Sequence, residues 1–286
     1  MTWPTTTIFD AVFIPLYAIV GVLNLVNVVR HGRGRTVGFI SLLIFSLVHL
    51  VGNVMLVVEY KTNYASITAT VWGYILQSIG LSFLVSSSIG FYTRACGLLD
   101  ADDKTGRVAK LLNLVNLAAL VCVITGYTST DFTNAQGEMI NPKLPVQTKV
   151  GALLYVGLIA VIAGLAAVRL ARASIGEAKL IRLALLVALT FMLVRAGYAV
   201  YATFKGTILV PTNVWVKLVL QYIAEFLALA TYTALGFLLD RAPQASEIHL
   251  EEAASASFTR DSSSTDGHWQ KVPITYVQPR IPPPRA

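Results

Sequence analysis

Seven apolar segments of about twenty residues each dominate the sequence. A helix of that length crosses the roughly 30 Å hydrocarbon core of a bilayer, whereas a barrel strand needs only about half as many residues. The chain is 55% hydrophobic and 13% charged, and soluble domains carry about 25% charged residues. We therefore predict an all-α polytopic membrane protein with seven transmembrane helices, near residues 8–29, 37–58, 68–92, 109–128, 150–171, 181–204 and 214–239.

Basic residues flank these segments unevenly. Eleven Lys and Arg residues lie in or beside the first, third and fifth loops, and four lie in or beside the second, fourth and sixth. Because basic residues concentrate in cytoplasmic loops, the N-terminus is predicted outside or in the lumen and the C-terminus in the cytosol. The net charge of +7 is explained in this way, and no nucleic-acid partner is predicted.

The composition changes sharply after the last apolar segment. Residues 240–286 lose hydrophobicity and are rich in Ser, Asp and Pro. Such a composition cannot bury enough apolar surface to offset the entropy of ordering the chain. We predict two regions, a seven-helix transmembrane domain over 1–239 and a disordered cytosolic tail over 240–286.

Two ionisable residues lie near mid-depth in the last two apolar segments. Arg195 is in the sixth segment and Glu225 is in the seventh. A charge at the centre of a membrane helix costs about 2.5 to 3.5 kcal/mol on insertion scales, so such residues face a partner or a wet cavity. In adjacent antiparallel helices both lie about 13 to 17 Å below the same membrane face. The sequence predicts an ion pair between them.

Further polar and aromatic side chains are predicted to accompany this pair. His49 and Asn53 share one helix face, and Gln221 lies one turn before Glu225. His49, Gln77 and Gln221 lie about 10 to 17 Å below the same membrane face, which is also the depth of the ion pair. Aromatic walls are predicted from Tyr198, Tyr201 and Tyr222. This layer predicts a ligand pocket, and the alternative is a buried strut that only sets helix register.

Two other patterns predict helix packing. Small residues recur at helical spacing in the fifth segment, at Gly157, Ala160, Gly164 and Ala167. Such a face allows close approach of a neighbouring helix. Four amides near the predicted cytosolic side are expected to form interhelical hydrogen bonds, namely Asn24, Asn27, Asn113 and Asn116.

Several families of seven-helix proteins are excluded by specific positions. A retinal protein needs a lysine midway along the seventh helix, where this chain has Glu225, and Lys217 is predicted too near the surface. A rhodopsin-like receptor ends its third helix with an acidic-Arg-aromatic triplet, whereas residues 91–94 read FYTR. P-loop, zinc-protease and hydrolase motifs are also missing from the sequence.

Three stretches instead resemble a fungal group of seven-pass membrane proteins. They are RHGRGRTVGFISLLIFSLVHLVGN (30–53), LLVALTFMLVRAGYAVYATF (185–204) and QYIAEFLALATYTALGF (221–237). The chain is also similar to membrane-bound terpene cyclases of fungal meroterpenoid pathways, of the kind that make macrophorin- or ascofuranone-type products. The resemblance covers the bundle and not the tail. It implies a cyclase of secondary metabolism in the endoplasmic reticulum or another endomembrane, with a prenylated lipophilic substrate.

Protonation-initiated cyclisation has chemical requirements that can be compared with these residues. It needs a neutral carboxylic acid, aromatic faces for cations and a site without water. The acid candidates are Glu225, Asp10 and Glu59. Pairing with Arg195 would keep Glu225 ionised. In that case Glu225 positions the substrate, and Asp10 or Glu59 supplies the proton.

No metal or soluble cofactor is predicted, because the bundle lacks the aspartates that hold diphosphate-bound Mg²⁺ in ionisation-type cyclases. The expected partners are the lipid bilayer and a lipophilic small molecule. Asn53, Gln77 and Gln221, with His49, are expected to contact that molecule. The alternative function is a receptor or small-molecule transporter that binds a ligand in the same cavity without converting it.

Overall fold

The computed structural model describes residues 5–31, 37–62, 67–99, 103–132, 143–169, 171, 176–206 and 213–239. Its helices are α1 (Thr5–His31), α2 (Val37–Lys61), α3 (Ile67–Leu99), α4 (Asp103–Thr128), α5 (Val146–Arg169), α6 (Glu177–Lys205), α7 (Val214–Lys217), a π-helical segment (Leu218–Ile223) and α8 (Ala224–Leu238). The last three form one continuous span. Within the described ranges, seven spans are long and apolar enough to cross a membrane, so the prediction of an all-α protein with seven candidate spans is confirmed.

The helices extend beyond the apolar segments that predict them. The third segment was predicted to end at residue 92, but α3 continues to Leu99, and α4 already begins at Asp103. Hydropathy marks only the length of a helix that lies within the hydrocarbon core, whereas backbone hydrogen bonding continues into the polar turns beyond it. The predicted tail, 240–286, lies outside the described residues.

The third span occupies the centre of the bundle. It packs against α2, α4, α5, α6 and α8, and α1 packs against α2 and α8. Glycines allow close approach between α2 and α3, because a Cβ added to Gly73 would lie 2.9 Å from the Leu56 side chain. In a membrane, packing of this kind replaces the hydrophobic drive between helices. Side chains of α3 therefore reach most of the other spans.

The two ends of the bundle differ in the residues they present. We call one the polar end, where spans terminate at Thr5, Lys61, Ile67, Thr128, Val146, Lys205 and Val214. We call the other the basic end, where spans terminate at His31, Val37, Leu99, Asp103, Arg169, Glu177 and Leu238.

Side chains of α1 satisfy backbone carbonyls of α8 at the basic end. Asn27 Nδ2 donates to the Thr233 carbonyl at 3.1 Å, and His31 Nε2 lies 2.9 Å from the Gly236 carbonyl oxygen. The Gly236 carbonyl is among the last four of α8, which have no partner within the helix itself. These contacts join α1, the first helix of the bundle, to α8, the last.

Three of the four amides predicted to form interhelical bonds, Asn24, Asn27 and Asn116, do so with hydroxyl groups and backbone carbonyls. Asn24 Oδ1 accepts from the Thr233 hydroxyl at 3.1 Å. Asn116 Nδ2 donates to the Ser86 hydroxyl at 2.9 Å, and its Oδ1 accepts from Ser82 at 3.2 Å. Asn113 is exposed on α4. The amides of α1 and those of α4 lie at similar depth but do not contact each other. The α1 amides bond to α8, and Asn116 of α4 bonds to α3.

The predicted small-residue face of α5 is on the outside of the bundle, so that expectation was wrong. Gly157, Ala160, Gly164 and Ala167 are all exposed. The glycine that α5 does bury is Gly151, where an added Cβ would lie 2.7 Å from the Val123 side chain on α4. Small residues permit close packing, but they do not determine which face of an apolar helix turns inward.

Candidate functional site

Glu225 is the centre of a buried charged cluster. Arg195 Nε donates to Glu225 Oε2 at 3.2 Å, and His49 Nε2 lies 3.2 Å from Oε1. Arg195 is 4% exposed, His49 is 2% exposed and Glu225 is 1% exposed. The predicted ion pair is therefore confirmed, and α2 contributes a third member. An unpaired charge at this depth would be strongly unfavourable.

Aromatic rings and a glycine position the His49 imidazole. Its ring centroid lies 4.3 Å from that of Phe45 and 4.9 Å from that of Tyr17. On the third side is Gly80 of α3, where an added Cβ would overlap the imidazole. Because these neighbours limit its rotation, His49 is directed at Glu225.

Asp10 is the centre of a second buried cluster. Its Oδ1 accepts from the Tyr222 hydroxyl at 2.6 Å and from Gln77 Nε2 at 3.1 Å. Gln77 Nε2 also lies 2.7 Å from Asn53 Oδ1. All four side chains are buried. Asp10 of α1, Asn53 of α2, Gln77 of α3 and Tyr222 of the π-helical segment thus form one hydrogen-bonded group.

Lys217 belongs beside this second cluster. It lies one turn from the start of its span, close to the membrane face as its sequence position predicts, and its side chain is buried in the bundle. The residue is 4% exposed, and its Nζ lies 5.0 Å from the ring centroid of Tyr74 and 5.9 Å from that of Tyr222. It interacts electrostatically with Asp10. Helical spacing was the available signal, because Lys217 is one turn before Gln221 and two turns before Glu225.

The π-helical segment lies between the two clusters in the seventh span. It covers Leu218–Ile223 and includes Gln221 and Tyr222, both buried. A π-helical turn closes i→i+5 hydrogen bonds and is frequent at functional sites. Here it lies between Lys217 and Glu225, which belong to different clusters. The sequence carries no signal that distinguishes this segment from an ordinary α-helical turn.

Two small adjoining cavities open beside the clusters. The first is about 40 Å³ and is lined in part by Gln77, Arg195, Tyr198, Lys217 and Gln221. The second is about 30 Å³ and shares Arg195 with the first. One water molecule occupies about 30 Å³ in the liquid. The cavities therefore have room for one or two waters, and a larger ligand requires the helices to separate.

Two predicted site residues lie apart from this group. Tyr201 is 50% exposed and lines neither cavity, although its ring centroid is 6.5 Å from that of Tyr198. Glu59 is buried near the end of α2, where its backbone carbonyl accepts from the Thr62 hydroxyl at 3.1 Å. The catalytic and substrate-binding roles assigned to these and the other site residues stay predictions.

An aromatic cluster beside Asp10 was missed by sequence reasoning. Phe13 of α1 lies 5.1 Å from Tyr222 and 6.0 Å from Phe226 between ring centroids, and Tyr17 lies 6.3 Å from Phe226. Aromatic residues four apart on α1 were a usable signal.

The described residues contain no group of three or more His, Cys, Asp or Glu arranged to hold a metal ion.

These features define a seven-helix membrane protein whose ionisable side chains converge inside the bundle, between its middle and the polar end. The chain belongs to the family described as "Domain of unknown function (DUF7702)", which matches residues 10–242. The match includes all seven spans from Asp10 onward. Comparison with curated proteins and with solved structures found no match.

Proposed function

We propose that this protein is a membrane-embedded terpene cyclase that protonates and cyclises a prenylated, meroterpenoid-type substrate, with Asp10 as the proton donor. The observation that supports Asp10 is its position. Asp10 is 4% exposed and its carboxylate accepts from the Tyr222 hydroxyl at 2.6 Å, while the Tyr222 ring lies 5.1 Å from that of Phe13 between centroids. A carboxyl group in an apolar site next to aromatic faces is suited to proton donation followed by cation stabilisation.

The basic partners of the two carboxyl groups favour Asp10 over Glu225 as the acid. Glu225 is paired with Arg195, and an arginine side chain does not release its proton in proteins. Asp10 interacts with Lys217, and a buried lysine can exchange a proton with its surroundings. Because the site is buried, a neutral Asp10–Lys217 pair competes with the charged pair, since charges are costly to remove from water. Asp10 is then able to hold a transferable proton.

The proposed reaction converts the substrate into an isomer. Asp10 transfers its proton to the epoxide oxygen or to the terminal alkene carbon of the prenyl chain. The chain closes onto the resulting cation, and the rings of Phe13, Tyr17 and Tyr222 stabilise the charge. Loss of a proton from the last cation to the Asp10 carboxylate ends the sequence and restores the acid. Glu225, held by Arg195 and His49, positions the polar group of the substrate.

The substrate is proposed to enter from the bilayer between α1 and α7. Phe9 and Trp215 meet there edge to face with their ring centroids 5.7 Å apart, and Trp215 is 64% exposed. Because the cavity of about 40 Å³ is too small for a prenyl chain, separation of this pair is part of the proposal. Membrane access of this kind also keeps water away from the cation.

Membranes that contain the full chain provide the test. A farnesylated phenol and its terminal epoxide would be incubated with them, and products would be followed by mass and retention time. We expect an isomer of the substrate, and Asp10→Asn should lower its formation by about 10² to 10⁴-fold, the range of general acid catalysis. Asp131→Asn is the matched control, because Asp131 is exposed.

A second candidate function is supported by the polar lining of the first cavity. Gln77, Arg195, Lys217 and Gln221 line it, and such side chains suit a receptor or transporter that opens to bind a small polar ligand without converting it. Unchanged substrates across a panel, together with saturable ligand binding that is lost in Arg195→Met, would favour this candidate. An isomer that persists undiminished in Asp10→Asn would exclude Asp10 as the acid.

We propose that the basic end faces the cytosol and that the protein resides in an endomembrane, as the distribution of basic residues and the fungal resemblance imply. Thr62 at the polar end and Lys110 near the basic end are both exposed. In sealed microsomes, a membrane-impermeant thiol reagent should label Lys110→Cys and not Thr62→Cys. The reverse pattern would invert the orientation.

A further inference from the structure

We infer that the basic end carries a binding site for one anionic phospholipid, in a groove between α2 and α4. The groove is a cavity of about 660 Å³, lined in part by Gly38 of α2, by Arg94 and Gly97 of α3, and by Asn113 of α4. Ligand pockets usually enclose about 300 to 1,000 Å³. The site is separate from the clusters at the polar end, since Gln77 and Arg94 on α3 are about 25 Å apart at 1.5 Å per residue.

The groove exists because its floor is built from small residues. The span α3 packs against both α2 and α4, and glycines of α3 lie between the two neighbours. An added Cβ at Gly97 would meet no atom within 4 Å. Where large side chains are missing between neighbouring helices, a lipid chain can occupy the space and supply the dispersion contacts that an unfilled void forfeits.

The lining of the groove is amphipathic along the membrane normal. Arg94 lies about 6 Å inside the end of its span at Leu98, a depth that suits a headgroup. Asn113 lies about 12 Å inside the span that begins at Thr105, a depth that suits the ester and first methylene groups. Apolar side chains of Ile89, Phe91 and Leu98 complete the wall.

Two polar groups supply the chemistry that recognises a phospholipid. The Arg94 guanidinium has five N–H donors, and Glu177 Oε2 lies 3.4 Å from its Nη2. A phosphate can share the guanidinium with Glu177, whose side chain is 29% exposed. Within the part of the chain that the structure describes, no hydrogen bond reaches the exposed Asn113 amide. Its NH₂ group fits an ester carbonyl.

The charge of the surrounding surface selects an anionic headgroup. Basic residues at or near this end of the bundle include Arg30, Arg94, Arg107, Lys110, Arg169, Lys179 and Arg182. A basic cluster next to a membrane span attracts anionic lipids electrostatically. Together with the acyl-sized groove, this charge points to a diacyl lipid with a phosphate headgroup.

The test uses the full chain, purified in detergent and depleted of lipid. Thermal unfolding would be measured during titration with dioleoylphosphatidylglycerol. We expect the midpoint to rise by about 5 °C at saturation, and native mass spectrometry should show one lipid per chain. Dioleoylglycerol, which lacks the phosphate, and inorganic phosphate, which lacks the chains, should each give no comparable shift.

Two variants address the groove, and each has a matched control. Arg94→Gln should weaken lipid affinity by about tenfold or more, as for loss of a charged hydrogen bond. Gly97→Leu fills open space and should abolish retention of the lipid without disturbing the fold. The controls Lys205→Gln and Gly164→Leu remove a cation at the polar end and fill an exposed position outside the groove. Both should bind like the unaltered chain.

Three results would overturn the proposal. Equal stabilisation by dioleoylglycerol would mean that the headgroup is not recognised. Equal stabilisation by inorganic phosphate would assign the site to a soluble anion. Unchanged lipid binding in both Arg94→Gln and Gly97→Leu would place the lipid elsewhere.

Discussion

At the residue scale, the contact between Arg195 and Glu225 has the largest energetic consequence. Both side chains are nearly inaccessible, and His49 adds a third polar group to the same carboxylate. Removing one member of a buried ion pair leaves the other charge without compensation, whereas removing both removes the problem. The pair therefore affects stability most when only one of its members is removed, because the other charge is then left buried without compensation.

Arg195→Met is expected to destabilise the protein by about 3 to 5 kcal/mol, because Glu225 would remain buried without its cation. The double variant Arg195→Met/Glu225→Leu should recover most of that loss. Thermal unfolding in detergent measures both. Arg182→Met on the same helix is the control and should change stability by about 0.5 kcal/mol or less. Equal losses in the single and double variants would contradict this account.

Tyr222→Phe separates stability from the proposed chemistry. It removes the hydroxyl that donates to Asp10 at 2.6 Å, which should cost about 0.5 to 1.5 kcal/mol in stability. If Asp10 is the acid, formation of the cyclised isomer should fall by at least about tenfold. Tyr201→Phe is the matched control, since Tyr201 is 50% exposed, and neither quantity should change. Wild-type turnover in Tyr222→Phe would remove this tyrosine from the mechanism.

At the element scale, the close approach of α2 and α3 decides where His49 points. The imidazole of His49 occupies space that a Cβ at Gly80 would need. The i, i+4 spacing of His49 and Asn53 predicted a shared face, and both side chains do point into the bundle. The glycine that makes room on the facing helix had no signal of its own, because sequence periodicity describes one helix at a time.

Gly80→Ala should push the imidazole away from Glu225 and destabilise the protein by about 1 to 3 kcal/mol, the usual range for overpacking. In a His49→Ala background the same change should cost much less, since the clash is then absent. Gly197→Ala on α6 is the control, where an added Cβ meets no atom within 4 Å. It should be neutral or stabilising by up to about 1 kcal/mol. A loss independent of His49 would contradict the proposed contact.

At the scale of the whole molecule, α3 joins two ends with different chemistry. The polar end holds the clusters of Glu225 and Asp10, and the basic end holds the phospholipid groove and the contacts between α1 and α8. Because sites this far apart usually contribute independently, variants at the two ends should have additive effects.

A chain that ends at Arg241 should assemble and unfold like the full-length protein. The physical reason is that residues 240–286 are too polar to bury a core of their own, so they are expected to add little to the bundle. The thermal midpoint in detergent tests this. A chain that ends at Ala230 is the contrasting control, because it loses the carbonyls of Thr233 and Gly236 that contact Asn27 and His31. A lower midpoint for the first truncation would give the tail a structural role.

The number of membrane crossings, and the depth of Arg195, Glu225, His49 and Gln77, follow from the sequence alone. Hydropathy is a local property, and depth is residue count multiplied by a fixed rise per residue. Only the tertiary structure decided which way each helix is rotated. It turned Lys217 inward and Tyr201 outward, and it paired Asp10 with Tyr222. The reason is physical: a membrane-spanning helix is apolar on nearly every side, so its own sequence does not mark the side that faces its neighbours.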